Sequence, residues 1–403
     1  MSSELERQSN GRPSPMRIAV IEPTSQGGLL HYAFQLADAL AERGNAVDLF
    51  VPARNELATH AGAARRRAIL CSPTPAPAAG VGDVAVIRRA RVALRLLRAW
   101  GRINWEIRRG RYDAVILTSD VDLWPVAVAA LGLTLGGRPR VGTIGHSARP
   151  FNRWSGSELF VSSPLLERLL RLYYRRVDAL YVHGERSRAE FAEAWSPPNL
   201  VVIPHGDERI FGEAPPEPSQ ESRLLFFGDW RKVKGLPVLM QAFDALLELS
   251  PHARLTIAGS PCPEDLDPDE VRAWAASQSG RVTVIDHYVP VADVRALFGA
   301  ARAVTAPYLV AYQSGVVHLA MTMARAVVAS DVGDLPSVVI DGETGLIVPP
   351  QDPRALARAL ARVLDDPELA NTLGAEGHRR LLAGASWDEV ARRVEGALAS
   401  ERR

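Results

Sequence analysis

The sequence predicts an α/β protein of two domains, each built on a parallel sheet. Short apolar runs such as RIAVIE, VDLFVP and AVILTS alternate with longer stretches of helical periodicity through both halves of the chain. The 403 residues are too many for one ordinary core. A stretch rich in Pro, Glu and Ser, residues 212–222, divides the alternation in two.

In chain order, residues 1–15 read as a disordered tail without the apolar core of a signal peptide. Met16 to Glu22 is the first strand, and Gln26, Gly27 and Gly28 form a flexible turn. Leu29, Ala33, Leu36, Ala37 and Leu40 then share a helix face, ended by Gly44. Val47 to Pro52 is the next strand, completing a β-loop-α-β unit. The SQGG turn lacks the third glycine of the dinucleotide fingerprint. Residues 71–83 are a loop.

Residues 87–109 are basic and amphipathic, with Val92, Leu96 and Ala99 on one face and Trp100, Ile103 and Ile107 on another. Two readings stay open: a surface helix packing its apolar side on the sheet, or peripheral contact with an anionic membrane. Ala114 to Ser119 is a strand ending at Asp120-Val121-Asp122, which reads as a helix cap or a metal pair; no metal site is assigned. Arg140 to Gly145 delivers His146 at its end. Residues 147–163 are polar and suit a mobile loop over a site. A second basic helix over 165–176 and the strand ALYV lead to His183 and to the hinge at His205, both read as structural.

The second half places strands at Leu224 to Phe227, Arg254 to Ala258, Val282 to Ile285, Ala303 to Ala306 and Val327 to Ala329, with helices between and at 353–365. In FFGDWRKVKGL a strand ends at Gly228, and Arg231 and Lys234 follow before a helix near Leu236. After Ala306, the loop Gln313-Ser314-Gly315 opens a helix from Val316 to about Arg325. Such a turn is a ready anion site, because the first helical N–H groups are unpaired and the dipole is positive there. It also fits an ordinary strand-to-helix turn. No Ser-His-Asp set, metal cluster or carboxylate pair is readable.

Composition narrows the partners. Hydrophobic residues make up 47% and charged residues 23%, an ordinary globular balance. A net charge of +1 gives no general attraction for nucleic acid. Cys71 and Cys262 are far apart and suit a reducing, cytoplasmic setting, with the inner face of the membrane as the peripheral option. No apolar stretch reaches the ~18 residues of a membrane span.

The segments FFGDWRKVKGLPVLMQAF and VASDVGDLPSVVIDGETGLIVPP resemble the donor half of glycosyltransferase family 4, retaining enzymes of the GT-B fold. The likeness runs from Arg17 to the C-terminal helix and is strongest over residues 201–365. It implies two Rossmann-like domains facing across a cleft: an acceptor domain at 16–205, a nucleotide-sugar domain at 206–385, and a helix at 386–403 crossing back to the first. It also implies that Arg231 and Lys234 hold the donor diphosphate, where fixed cations stabilise the charge left by the departing sugar without a metal or cofactor. Gly27 and Gly28 would lie beside the phosphates and the acceptor, and His146 near the reacting carbon. His287 and Tyr288 occupy the base position, and Gln313, Ser314, Gly315 and Val316 the phosphate turn.

The implied substrates are a nucleotide-diphosphate sugar and a glycan, lipid-linked or small-molecule acceptor, joined by front-face transfer in which the leaving phosphate takes the acceptor proton. There are departures. The family's Glu-x7-Glu pair falls on Ala311 and Leu319, the likeness being to a sub-branch with a Gln-Ser-Gly loop. Its usual arginine after the glycine is Asp229, so Arg231 substitutes for it. The alternatives are a non-catalytic scaffold, which the missing pair suggests, and a nucleotide-sugar epimerase, which needs cleft carboxylates the sequence does not place.

Overall fold

The computed structural model of the protein describes residues 14–70, 85–119, 130–135, 139–146, 148, 164–212 and 214–400. Most of the tail, the 71–83 loop, the Asp120-Val121-Asp122 motif and nearly all of the 147–163 stretch lie outside the described residues. The first sheet holds β1 (Arg17–Ile21), β2 (Ala46–Pro52), β3 (Arg65–Leu70), β4 (Ala114–Leu117), β5 (Arg140–Ile144), β6 (Ala179–Val182) and β7 (Leu200–Val202) in the order β3-β2-β1-β4-β5-β6-β7. The second holds β8 (Arg223–Phe227), β9 (Arg254–Ala258), β10 (Val282–Ile285), β11 (Ala303–Ala306), β12 (Ala326–Ser330) and β13 (Leu346–Val348) in the order β10-β9-β8-β11-β12-β13. Every pairing between these strands is parallel.

The central strands β1, β4, β11 and β12 are buried almost throughout, which is why they read as unbroken apolar runs. Strand order reverses between β1 and β4 and between β8 and β11. At such a switch point the loops after the strands diverge and leave a crevice at the carboxyl ends. Several elements were not in the sequence reading, β7 and the short helix Leu335–Val338 among them. β3, RRRAIL, is an edge strand whose arginines hide any alternation, β13 is three residues long, and the helix Pro367–Gly384 follows directly on Pro353–Asp365. The helix after Ser314 spans Gly315–Thr322 and stops short of Arg325.

Residues 214–222 are not a free tether. Arg302 donates to Gln220 O, and Arg325 to Pro216 O and Glu217 O, lashing the stretch to the second domain. The helix Ala85–Gly110 turns Trp100, Ile103 and Ile107 into the first core; its Val92 and Leu96 side chains lie outside the described residues. Leu94, Leu97 and Trp105 on the same helix are 48%, 37% and 56% exposed.

Several contacts bind the halves together, among them the last helix and Asp334. The last helix, Trp387–Ala399, returns to the first domain and packs against Gly28–Glu42, with Tyr181 donating to Val394 O at 3.0 Å. Asp334, from the loop after β12, caps the first-domain helix Glu185–Trp195. Its carboxylate accepts from Arg186 N and Ser187 N at 3.0 Å each and from Ser187 Oγ at 2.6 Å. Gly184 is required beside it, because a Cβ there would lie 2.3 Å from the carboxylate. Both partners are buried, so the loss of the carboxylate leaves helix N–H groups without water or acceptor. Asp334→Ala is expected to destabilise by about 2 kcal/mol and Asp334→Asn by less. A thermal melt of the Ala variant that matches the wild type excludes this cap as a tie between the domains.

Candidate active site

The loops after β5, β6, β7 and β11 and the first turn of Gly28–Glu42 enclose a cavity of about 280 Å³ between the domains. It is lined by Gly28, Tyr32, His146, His183, His205, Glu208, Gln313 and Gly315, among others. Three separated sequence candidates, Gly28, His146 and the Gln313–Gly315 loop, therefore meet at one place. His146 holds its ring by an Nε2 contact of 2.7 Å with Thr118 O, at the end of β4. Gln313 donates to His183 O at 2.8 Å and so ties the second domain's loop to the first domain's wall. His183 and His205, read as structural from sequence, line the cavity. His205 stacks on His318 at 4.4 Å between ring centroids.

The second-domain loops are coupled in series. Lys234 Nζ stands 4.1 Å over the Tyr308 ring, and Tyr308 OH meets Ser314 Oγ at 3.1 Å. Ser314 Oγ in turn accepts from Val317 N at 3.3 Å, capping the helix Gly315–Thr322. Leu309 N donates to Val233 O at 2.8 Å, and Gly235 (φ +71°) allows the approach, since a Cβ there would lie 1.8 Å from Pro307 O. A cation and a helix N-terminus are thus presented on one side of the cleft. Arg231 begins the turn Lys232–Lys234, and the Val316 side chain lies against the bare face of Gly228.

A third knot was not foreseen. Glu56 accepts from Gly27 N at 2.6 Å and Tyr288 OH at 2.6 Å and meets His31 Nε2 at 2.7 Å. Burial raises the Glu56 carboxyl, but hydrogen bonds from His31, Tyr288 and Gly27 outweigh this and hold it below its ordinary value. The Gly-Gly turn and the loop after β10 are therefore clasped across the cleft. His287, beside Tyr288, is exposed and takes no part in the clasp. Leu319 is buried in the second core and Ala311 lies on the loop beside Tyr312, so neither brings a carboxylate to the site. Among the described residues, no group of three or more His, Cys, Asp or Glu is placed to hold a metal.

Two parallel sheets with their carboxyl ends turned to one cleft define the GT-B fold class. Residues 26–206 match the family model described as Glycosyltransferase Family 4, and residues 221–366 the one described as Glycosyl transferases group 1. The chain is 27% identical to the phosphatidyl-myo-inositol mannosyltransferase of Mycolicibacterium smegmatis over 88% of this chain and 86% of that one. It is 26% identical to the D-inositol 3-phosphate glycosyltransferase of Corynebacterium glutamicum, over 96% and 98%. Sucrose-phosphate synthase from Thermosynechococcus elongatus shares the fold, with a TM-score of 0.72 at 22% identity over 94% and 98% of the two chains. So does Anabaena HepE, crystallised with UDP-glucose, with a TM-score of 0.70 at 15% identity over 96% and 100%. The chain is a glycosyltransferase whose first half matches the Family 4 model and whose second half matches the group 1 model.

The cavity's polar wall is charge-poor. Burial pushes the Glu208 carboxyl up to about 8 despite a Gln35 hydrogen bond that lowers it, and the neighbouring Asp207 charge adds to the rise. Burial also drives His183 down to about 3 and His318 to about 4, and His205 well below its ordinary value. Opposite signs follow for stability. Glu208 keeps a proton that the unfolded chain releases, so its contribution is full below pH 4.5 and is lost as pH rises through about 8. The histidines refuse protons that the unfolded chain takes up, so theirs is full above pH 6.5 and lost as pH falls below it. The melting temperature of the wild type is expected to decline between pH 6.5 and 8, and Glu208→Gln to flatten that decline. Equal slopes in the two proteins count against the protonated carboxyl.

Proposed function

We propose that the protein transfers a sugar, with retention, from a nucleotide-diphosphate donor to a glycan, lipid-linked or small-molecule acceptor bound by the first domain. The observation that carries this is the series Lys234–Tyr308–Ser314, which sets a cation and a helix N-terminus on the second-domain side of a cavity walled by His146 and Gly28. In this reading the bond from the anomeric carbon to the phosphate oxygen breaks as the bond to the acceptor oxygen forms on the same face. The departing phosphate takes the acceptor proton. Lys234, Arg231 and the N–H groups of Gly315 and Val316 neutralise the charge that collects on the diphosphate. Gln313 holds the loop, Gly27 and Gly28 admit the phosphates, and the loop at His287 and Tyr288 faces the base. The complexes of HepE with UDP and with UDP-glucose make a uridine donor the first to test.

UDP is expected to raise the melting temperature without added metal. Stabilisation only in the presence of magnesium or manganese counts against the cation-and-dipole account. Lys234→Ala and Arg231→Ala are each expected to lower kcat by roughly a hundredfold with the fold intact, because the contact strengthens as the phosphate leaves. Turnover at the wild-type level in both variants places the diphosphate elsewhere.

The lipid-linked option rests on the helix Ala85–Gly110, where exposed Leu94, Leu97 and Trp105 stand among arginines, with the Arg109 guanidinium 5.0 Å from the Trp105 ring. Among the described residues no helix is long and apolar enough to cross a membrane. Peripheral contact predicts sedimentation with anionic vesicles at low salt and release at high salt. Failure to sediment leaves this face as an ordinary protein surface.

A further inference from the structure

Resting on the donor reading above, we propose that Glu208 supplies a sugar-facing carboxyl in this cavity, donating a hydrogen bond from Oε1 to a hydroxyl of an uncharged transferred sugar. Glu208 is buried on the first turn past the hinge and lines the same cavity as His146 and Gly315. Its backbone N–H is spent on Thr322 Oγ1 at 2.9 Å, which fixes the residue against the second domain. Gln35 donates to Oε2 at 3.3 Å, so that oxygen is an acceptor. The other oxygen, Oε1, faces open space: His205 Nδ1 is 4.0 Å away, beyond hydrogen-bond reach, and the site of a Cβ on Gly315 is 3.6 Å away.

Two further groups point to a ligand there. Tyr32 OH and Gln313 Oε1 are buried without a hydrogen-bond partner, and both residues line the cavity. Buried polar groups are paired in most cases, by protein, water or a ligand, so two unpaired groups on one cavity wall make it a candidate for a ligand. The described lining residues include no lysine or arginine. The groups facing Glu208 are Tyr32 and Gln35 from the first-domain helix and His205 and Asp207 from the hinge, with Asp207 paired to Arg209 at 2.9 Å; His318 of the second-domain helix stacks behind His205. The cavity thus offers hydroxyl-binding groups of both donor and acceptor kind and no fixed cation. That suits a neutral hexosyl group and disfavours a uronosyl group, whose carboxylate would be buried unpaired.

The test compares the wild type with Glu208→Gln and Glu208→Ala against UDP, UDP-glucose, GDP-mannose and UDP-glucuronate. The wild type is expected to bind a neutral nucleotide hexose more tightly than the matching nucleoside diphosphate, and UDP-glucuronate no better than UDP. Glu208→Ala should abolish that sugar-dependent gain and cut hexosyl turnover by at least roughly thirtyfold, leaving nucleoside diphosphate affinity unchanged. Glu208→Gln, which keeps a donor at the same place, should lose less than about tenfold in turnover. It should also lack the wild type's fall in turnover as pH rises through about 8. An Ala variant with wild-type sugar binding and turnover overturns the assignment. So does a Gln variant as inactive as Ala, which would mean that an ionised carboxylate is needed. Failure of every nucleoside diphosphate to bind the wild type overturns the donor reading itself, and the assignment with it. Intact binding of the diphosphate in the Ala variant separates the two failures and shows that the variant is folded.

Discussion

The hinge turn at Gly206 is the constraint on which the cleft depends. Its φ is +91°, and a Cβ there would lie 2.6 Å from the indole of Trp387. That indole donates to Asp207 O at 2.8 Å from the first turn of the returning helix. The chain thus passes from one domain to the other under the clamp of its own last helix. His205 and Glu208 flank the clamped pair and inherit their positions from it. Ile210 N donates to Gln35 Oε1 at 3.2 Å in the first domain, while Glu208 N bonds Thr322 in the second. The hinge is therefore tied on both sides, and the cavity between the sheets has a defined width.

The other two knots have the same character. Asp334 reaches from the second domain to cap a helix of the first, and Tyr288 reaches Glu56. Each is a short polar contact made where both partners are largely shielded from water, so its strength comes from the surroundings as much as from the pair. Such ties hold an orientation without burying a large apolar interface.

The legible parts of this chain are those whose signal is local. Central strands announced themselves as apolar runs because both of their faces are covered, and the turns at Gly27 and Ser314 stood out because small polar residues follow a strand and open a helix. β3 escaped notice because three successive arginines hide its alternation, although Arg66 and Arg67 are half-buried, over Phe34 and Phe50. Glu208 escaped because the elements that bury it lie far along the chain: its hydrogen-bond partner Gln35 is 173 residues away. Tyr288 is 232 residues from Glu56, and Ser187 is 147 from Asp334. Nothing in the neighbourhood of a glutamate in the sequence distinguishes a solvated one from one held neutral in a dry seam. The absence of acids at Ala311 and Leu319 was visible in the sequence; the burial of Glu208 beside the cleft was not.

Gly315 joins the two halves of the proposed site. Its backbone lies in the first turn of the helix, where the aligned peptide dipoles favour negative charge, and the capping oxygen of Ser314 leads back through Tyr308 to Lys234. Its missing side chain leaves open the space before Glu208 Oε1 and His205 Cε1, at 3.6 Å and 3.9 Å from where a Cβ would stand. On one side of a single residue the surroundings are cationic, and on the other they are neutral and rich in hydrogen-bonding groups. A nucleotide sugar has the same division, a charged diphosphate joined to an uncharged ring at the anomeric oxygen. The bond to be broken would then lie at the boundary between the two environments. There, charge developing on the phosphate would be stabilised, while a buried, cation-free wall would hold the ring by its hydroxyls alone.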